Sequence, residues 1–309
     1  MKNVYIIGAG AIGRVLALCL QAKGSSPILV RGRSNDLPKS LETYEVEFPG
    51  HNLQKAEIPT ISLGQLRMID GPVIVTVKSF ANQKVAQALK AFKNEFPIVI
   101  LQNGWDVEVP FLEAGFSRIF RSVLFVTSQI EASGLVRFKP VSPSPIGVVA
   151  GETSDLDQWV GMLDTAAFPF TQEEHIEKIV WEKAMINCAF NSICPLLETD
   201  NGIFKREPTA MAMAKSVVEE CIHVSRHFSL DFQVDLIMNR IQTISEKSEG
   251  QLISTLQDIN FGRETEIESL NLAIAKKADK LGLGEEVKFT RALGEMTLLK
   301  AKNQSNKLK

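Results

Sequence analysis

No apolar run in this chain approaches the roughly 18 residues that would suggest a membrane span, so no membrane partner is expected. No charge of one sign dominates either. The 34 Lys and Arg stand against 36 Asp and Glu, for a net charge of −2. A global field that would draw nucleic acid or an anionic lipid surface is therefore not expected. Cysteine is scarce and unpatterned. Cys19, Cys188, Cys194 and Cys221 form no CxxC pair, and reduced core thiols are the expectation. His223 and His227 stand four apart, which suits one helix face, but the segment lacks the Glu of a zinc-protease motif. No metal site is expected. Met1-Lys2-Asn3 leads directly into an apolar run, without the n-region, h-region and cleavage site of a secretory signal, so the expected location is the cytoplasm. Internal repeats and long low-complexity linkers are also missing.

What is present is length and apolar content. With 309 residues, 45% of them hydrophobic and 23% charged, the chain can build two domains with substantial cores. The most informative motif is Gly8-Ala9-Gly10-Ala11-Ile12-Gly13, set between the apolar run Val4–Ile7 and the helix-like run Arg14–Lys23. Strand, glycine turn and helix in that order form the first unit of a dinucleotide-binding fold. Gly8 permits the tight turn, Gly10 lets backbone N–H groups approach a pyrophosphate, and Gly13 lets the helix pack close to the strand. The pyrophosphate then meets the positive end of the helix dipole. A plain Gly-rich turn is the competing reading.

A site for NAD usually ends its second strand in Asp or Glu, which accepts from the ribose 2′-hydroxyl. Here Pro27–Val30 runs into Arg31-Gly32-Arg33-Ser34, with no carboxylate before Asp36. A guanidinium suits a phosphate dianion, so Arg31 points to NADP, with Arg33 or Ser34 as a possible second contact. A solvated surface loop would also hold arginines.

The first half alternates strand and helix signals. Strands are expected at Val4–Ile7, Ile28–Val30, Val73–Val77, Ile98–Leu101 and Ile119–Val126, and helices at Ala11–Lys23, Ala81–Asn94 and Val107–Glu113. Tyr44–Phe48 and Leu53–Ile58 read as a hairpin around Pro49-Gly50. Leu135–Phe138 and Ile146–Ala150 are expected to pair at the antiparallel end of the sheet. After Phe168–Thr171 helical periodicity dominates, with candidates Glu173–Cys194, Thr209–Phe228, Gln233–Ser245, Glu264–Leu281 and Glu285–Ala301. Thr171 and Glu174 fit a capping box for the first of these. Pro195 is expected to end or kink it, and the tail from Lys302 to fray. The expectation is an α/β chain, with a Rossmann-type dinucleotide-binding domain over residues 1–172 and an all-α domain over 173–309. No apolar seam stands out, so monomer and homodimer both remain open.

In the second half, Lys183, Asn187 and Asn191 fall four apart and share one helix face. An ordinary polar face would explain them. Yet Ile186, Cys188, Ala189, Phe190 and Ile193 leave little room for a wide solvated stripe, and a mostly buried helix must satisfy its polar groups.

Taken with the GxGAxG turn, Val77-Lys78, Gln102-Asn103-Gly104, the W-x-K-x-x-x-N-x-x-x-N segment from Trp181, Ser254–Asp258 and Thr265–Glu268, the chain resembles the ketopantoate reductases over nearly its whole length. The resemblance implies that the second domain is similar to the C-terminal domain of 6-phosphogluconate dehydrogenase. It implies Lys183 as proton donor to a substrate ketone and Glu266 as its acidic partner. Asn187 and Asn191 would be substrate-contacting amides, and Ser254 would bind the substrate carboxylate. Lys78 and Asn103 would lie at the nicotinamide end of the cofactor, close to substrate, and Arg31 would read the 2′-phosphate of NADPH or NADP+. The implied activity is reduction of 2-dehydropantoate to pantoate, a step toward pantothenate and coenzyme A, with a small 2-keto acid as the binding partner. Gln251 stands where many relatives have Asn, Ile253 where a second Ser is common and Leu272 where Gly is usual. These departures keep another small 2-keto acid open as substrate. A cofactor-binding sensor without turnover is a third reading.

Overall fold

A computed structural model describes residues 3–32, 38–92 and 96–307. The candidate contacts Arg33 and Ser34, and Asp36, lie outside the described residues. The chain divides into two compact units, one of residues 1–102 and 107–176 and the other of 103–106 and 177–309.

The first unit is built on an eleven-stranded mixed sheet. In chain order its strands are β1 (Asn3–Ile7), β2 (Ser26–Arg31), β3 (Ser40–Phe48), β4 (Asn52–Ser62), β5 (Val73–Val75), β6 (Ile98–Ile100), β7 (Ile119–Ser122), β8 (Val126–Ile130), β9 (Val136–Pro140), β10 (Ser144–Ala150) and β11 (Phe170–Gln172). They lie in the order β11-β10-β7-β6-β5-β1-β2-β4-β3-β9-β8. Among the described residues, four α-helices accompany them: α1 (Ala11–Ala22), α2 (Asn82–Lys90), α3 (Val109–Glu113) and α4 (Leu156–Leu163). The central pairings, β2 with β1, β1 with β5, β5 with β6 and β6 with β7, are all parallel. Parallel strands are buried on both faces, which is why β1, β5 and β6 read as short continuous apolar runs. Alternation still sorts the side chains. Val4 and Ile6 of β1 join the core beneath α1, while Tyr5 and Ile7 join the core beneath α2 and α3. Because these strands share a direction, Arg31 at the end of β2 and the glycine turn, Lys78 and Gln102 beyond β1, β5 and β6 all lie at C-terminal strand ends on one side of the sheet.

The hairpin at Pro49-Gly50 forms with a register from Ser40↔Thr60 to Phe48↔Asn52. Two other strand expectations need correction. Ile119–Val126 is two strands, not one: β7 ends at Ser122, and the chain then crosses to the far edge of the sheet, where β8 begins at Val126. Leu135–Phe138 and Ile146–Ala150 do not pair with each other. β9 lies against β8 and β3, and β10 against β7 and β11. Pro140 and Pro145 border the intervening segment, and neither has the N–H that a tight hairpin ladder would use.

The second unit is helical: α5 (Ile176–Leu197), α6 (Ile203–Arg206), α7 (Pro208–Ser225), α8 (Val234–Lys247), α9 (Ser254–Asn260), α10 (Asn271–Lys280) and α11 (Lys288–Lys307). Thr171 does not cap α5. It sits in β11 opposite Pro145, and the Glu173 carboxylate instead accepts from the His175 N–H at 2.9 Å just before the helix. Pro195 does not end α5, which runs on to Leu197. Only the closing turn lies beyond it, so the missing N–H disturbs little. The tail does not fray at Lys302, since α11 continues to Lys307. Glu264–Leu281 is not one helix. A 3-10 turn over Ile267–Ser269 precedes α10, and the Ser269 carbonyl leaves the helical ladder to accept from the Trp105 N–H.

Candidate active site

In the first unit, the glycine turn follows β1 as the sequence requires. Gly8 has φ +129°, and a Cβ there would stand 2.6 Å from Thr76 Oγ1. A Cβ on Gly13 would stand 1.9 Å from the Gly8 carbonyl oxygen, so α1 starts in direct contact with the turn it follows. Gly10 differs: a Cβ there would meet nothing within 4 Å. It is the N-cap of α1 and offers no side chain to its first N–H groups. Open space at a helix N-terminus, where the first N–H groups have no partner in the helical ladder, fits a phosphate group. Ala9, Ala11 and Ile12 are half-buried around it. Thr76, which the sequence reading passed over, donates its hydroxyl to the Gly8 carbonyl at 3.0 Å and holds the turn against the end of β5.

Arg31 ends β2, and its guanidinium pairs with Glu42 of β3. Lys78 is half-buried directly before a 3-10 turn over Ser79–Ala81. Gln102 is an internal brace. Its amide donates to the Val77 carbonyl at 2.5 Å and exchanges two 2.7 Å hydrogen bonds with Asn82.

The second unit gathers the remaining candidates. Lys183, Asn187 and Asn191 lie along α5, the first two half-buried and Asn191 only 4% exposed. Asn191 Nδ2 donates to the Asn187 carbonyl at 3.0 Å. Its Oδ1 accepts from Thr255 Oγ1 at 2.7 Å and, more weakly, from Ser254 Oγ at 3.4 Å. The start of α9 is thus fastened to the polar stripe of α5, and Ser254 stands beside Asn191. Thr255 was not singled out from sequence, although its position next to Ser254 was the available signal. Glu266 is buried, immediately ahead of the 3-10 turn that Ser269 closes by donating from both its N–H and its hydroxyl to the Glu266 carbonyl.

Asn103 belongs to this helical unit, because residues 103–106 form a strap against it. Gly104 has φ +98°, and a Cβ there would fall 2.6 Å from the Ser269 carbonyl oxygen. The Trp105 N–H donates to that oxygen at 2.9 Å. The Trp105 ring meets Trp181 edge-on at 5.2 Å, and Asp106 pairs with Lys277 at 2.5 Å. Trp105, Ser269 and Lys277 are therefore supports that sequence reasoning missed. Among the described residues, no cluster of three or more His, Cys, Asp or Glu could hold a metal ion. His223 and His227 simply contact each other, ring centroids 5.7 Å apart.

Comparison with known proteins agrees with this layout. The family model described as ketopantoate reductase PanE/ApbA matches residues 4–149, and the model for its C-terminal part matches residues 175–297. A 2-dehydropantoate 2-reductase from Archaeoglobus fulgidus is 27% identical over 92% of this chain and 93% of its own. Among solved structures, D-mandelate dehydrogenase with NADH and anilino(oxo)acetate superposes with a TM-score of 0.85 at 21% identity, covering 98% of this chain and 99% of that one. A PanE/ApbA family ketopantoate reductase from Ralstonia eutropha JMP134 superposes at 0.81 with 24% identity, covering 98% and 99%. At such identities the two structures speak to the fold alone, a Rossmann-like domain followed by a helical one. With both family models matched across most of its length, the chain belongs to the ketopantoate reductase family, oxidoreductases that act on CH–OH groups.

Proposed function

We propose that this protein reduces 2-dehydropantoate to (R)-pantoate with NADPH, and that Lys183 supplies the proton. The observation that carries the reading is the junction at Asn191, a buried amide that fastens Ser254 and Thr255 to the same helix face as Lys183 and Asn187. A 2-keto acid needs recognition of its carboxylate and a proton at its ketone oxygen. Residues of both kinds stand on these two elements.

The glycine turn and the uncapped start of α1 would hold the pyrophosphate, Arg31 the 2′-phosphate, and Lys78 and Asn103 the nicotinamide end. When bound, the dinucleotide supplies the hydride. Lys183 donates a proton to the ketone oxygen as negative charge builds there, and its ammonium stabilises that charge beforehand. Glu266 positions the ammonium. Ser254 takes the substrate carboxylate, and the Asn187 and Asn191 amides orient the remainder of the acid. The same reading places the protein in the step that forms pantoate on the way to pantothenate and coenzyme A. A cytoplasmic setting accords with it, and no helix among the described residues is long and apolar enough to cross a membrane.

Another small 2-keto acid is the second reading, favoured by Gln251. Leu272 gives it less support, because its side chain packs beside Gly294 of α11. Measuring kcat/KM across a panel of 2-oxo acids separates the two. The expected result is a clear preference for 2-dehydropantoate. Comparable values on acids lacking its 4-hydroxyl would reject the pantoate assignment.

A further inference from the structure

Arg31, the residue proposed to read the 2′-phosphate, already has an anionic partner. Its guanidinium pairs with the Glu42 carboxylate, and the two side chains are 22% and 28% exposed. That carboxylate is itself anchored. The Ser40 hydroxyl donates to one oxygen and the Tyr44 hydroxyl to the other, each at 2.6 Å. Residues 40, 42 and 44 alternate along β3, so their side chains share one face. Tyr44 is fixed in turn, with its hydroxyl 3.1 Å from Thr60 Oγ1. The Arg14 guanidinium lies over its ring at 4.9 Å from the centroid. Arg14 then donates from Nε to the Ala9 carbonyl at 2.9 Å. One run of contacts therefore joins the glycine turn, through Arg14 and Tyr44, to Glu42 and Arg31.

An isolated surface ion pair would part freely when a ligand arrived. This carboxylate cannot swing away in the same manner, because two neighbours on its own strand hold it. A 2′-phosphate approaching Arg31 would have to displace Glu42 or sit beside it. Either course weakens the attraction that a lone guanidinium offers a dianion. An unmodified ribose 2′-hydroxyl brings no negative charge and meets no such opposition.

We infer that Glu42 is a specificity-determining residue, which occupies Arg31 and narrows the preference of this site for NADPH over NADH. The inference rests on Arg31 reading the ribose end of the cofactor. Direct binding tests it without turnover. Dissociation constants for NADPH and NADH are measured by titration calorimetry on the full chain and on Glu42→Gln, Glu42→Ala, Arg31→Ala and the Arg31→Ala/Glu42→Gln double variant. Glu42→Gln keeps the shape of the side chain and removes its charge. In both Glu42 variants the ratio Kd(NADH)/Kd(NADPH) is expected to rise by about tenfold, the scale of one like charge a few ångströms from a phosphate near a protein surface. The rise should come from tighter NADPH binding. In the Arg31→Ala background, Glu42→Gln should move the ratio less than in the parent, since competition for the guanidinium is gone and only direct repulsion between carboxylate and phosphate remains. An unchanged ratio in both Glu42 variants overturns the inference, and if Arg31→Ala lowers the ratio in the same experiment, the cofactor reading survives. Equal weakening of NADPH and NADH by Arg31→Ala overturns the cofactor reading itself.

Discussion

Replacing Gly104 with Ala probes the strap that carries Asn103. Two costs add. The backbone at this position has φ +98°, and forcing an L-residue into left-handed space costs about 1–2 kcal/mol. The new methyl would also fall 2.6 Å from the Ser269 carbonyl oxygen and 2.7 Å from Ser269 Cβ. That carbonyl is pinned by the Trp105 N–H, and the Ser269 hydroxyl by the Glu266 carbonyl, so neither can turn aside cheaply. Overpacking of this kind typically costs about 1–3 kcal/mol. Together the variant should lose about 2–5 kcal/mol of the contact between strap and helical unit. Urea unfolding followed by tryptophan fluorescence is the natural assay, because Trp105 and Trp181 touch and report on the seat directly. The midpoint should fall, the native emission should change, and kcat/KM should drop with them, since Asn103 adjoins the substituted residue. Adding Ser269→Gly removes the Cβ and hydroxyl but leaves the carbonyl, and should restore part of the loss. A Gly104→Ala protein with unchanged midpoint, emission and turnover would refute the reasoning.

Ser254→Ala should raise KM for the keto acid more than it lowers kcat, because it removes a hydroxyl assigned to the substrate carboxylate; an unchanged KM would take Ser254 out of that role. Asp200 supplies a pH test. Arg206 donates to its two oxygens at 3.1 and 3.0 Å and holds its carboxyl below the usual carboxylate range. A carboxyl with a lower pKa in the folded state contributes stability above its unfolded value and loses it as the pH falls through the folded one. Asp200→Asn should therefore unfold at lower urea than the parent at pH 7, with the gap closing as the pH drops below the carboxylate range. A gap independent of pH would contradict the assignment. The thiols give a third check. Burial pushes Cys19 up to about 11 and Cys194 up to about 12, and raises Cys188 well above its ordinary value. All four cysteines are buried, so a thiol reagent should label them only after unfolding. Rapid labelling of the native protein would show the helices to be less closed.

The parts of the molecule that a local pattern specifies were readable in the sequence. The glycine turn is one: positions 8 and 13 have the close contacts that a tight turn and a closely packed helix start require, and position 10 is open. The four-residue spacing of Lys183, Asn187 and Asn191 is another, because helix geometry alone puts them on one face. Contacts between distant segments were not readable. Nothing near Gly104 announces that its backbone will seat against Ser269, and nothing near Arg31 announces Glu42 on a strand two places along the sheet. The paths of β8, β9 and β10 failed for the same reason. Alternation marks a strand but does not name its neighbour. Thr171 had the composition of a cap and was recruited into β11, where pairing with β10 outweighed the local signal.

The central claim is that Lys183 donates the proton in a ketone reduction, and Lys183→Ala tests it most directly. Steady-state kcat with 2-dehydropantoate should fall by roughly 10²-fold or more, while the Kd for NADPH, measured by titration on the same preparation, stays within about twofold of the parent. Turnover retained near the parent rate, with the variant folded and binding NADPH, would contradict the account.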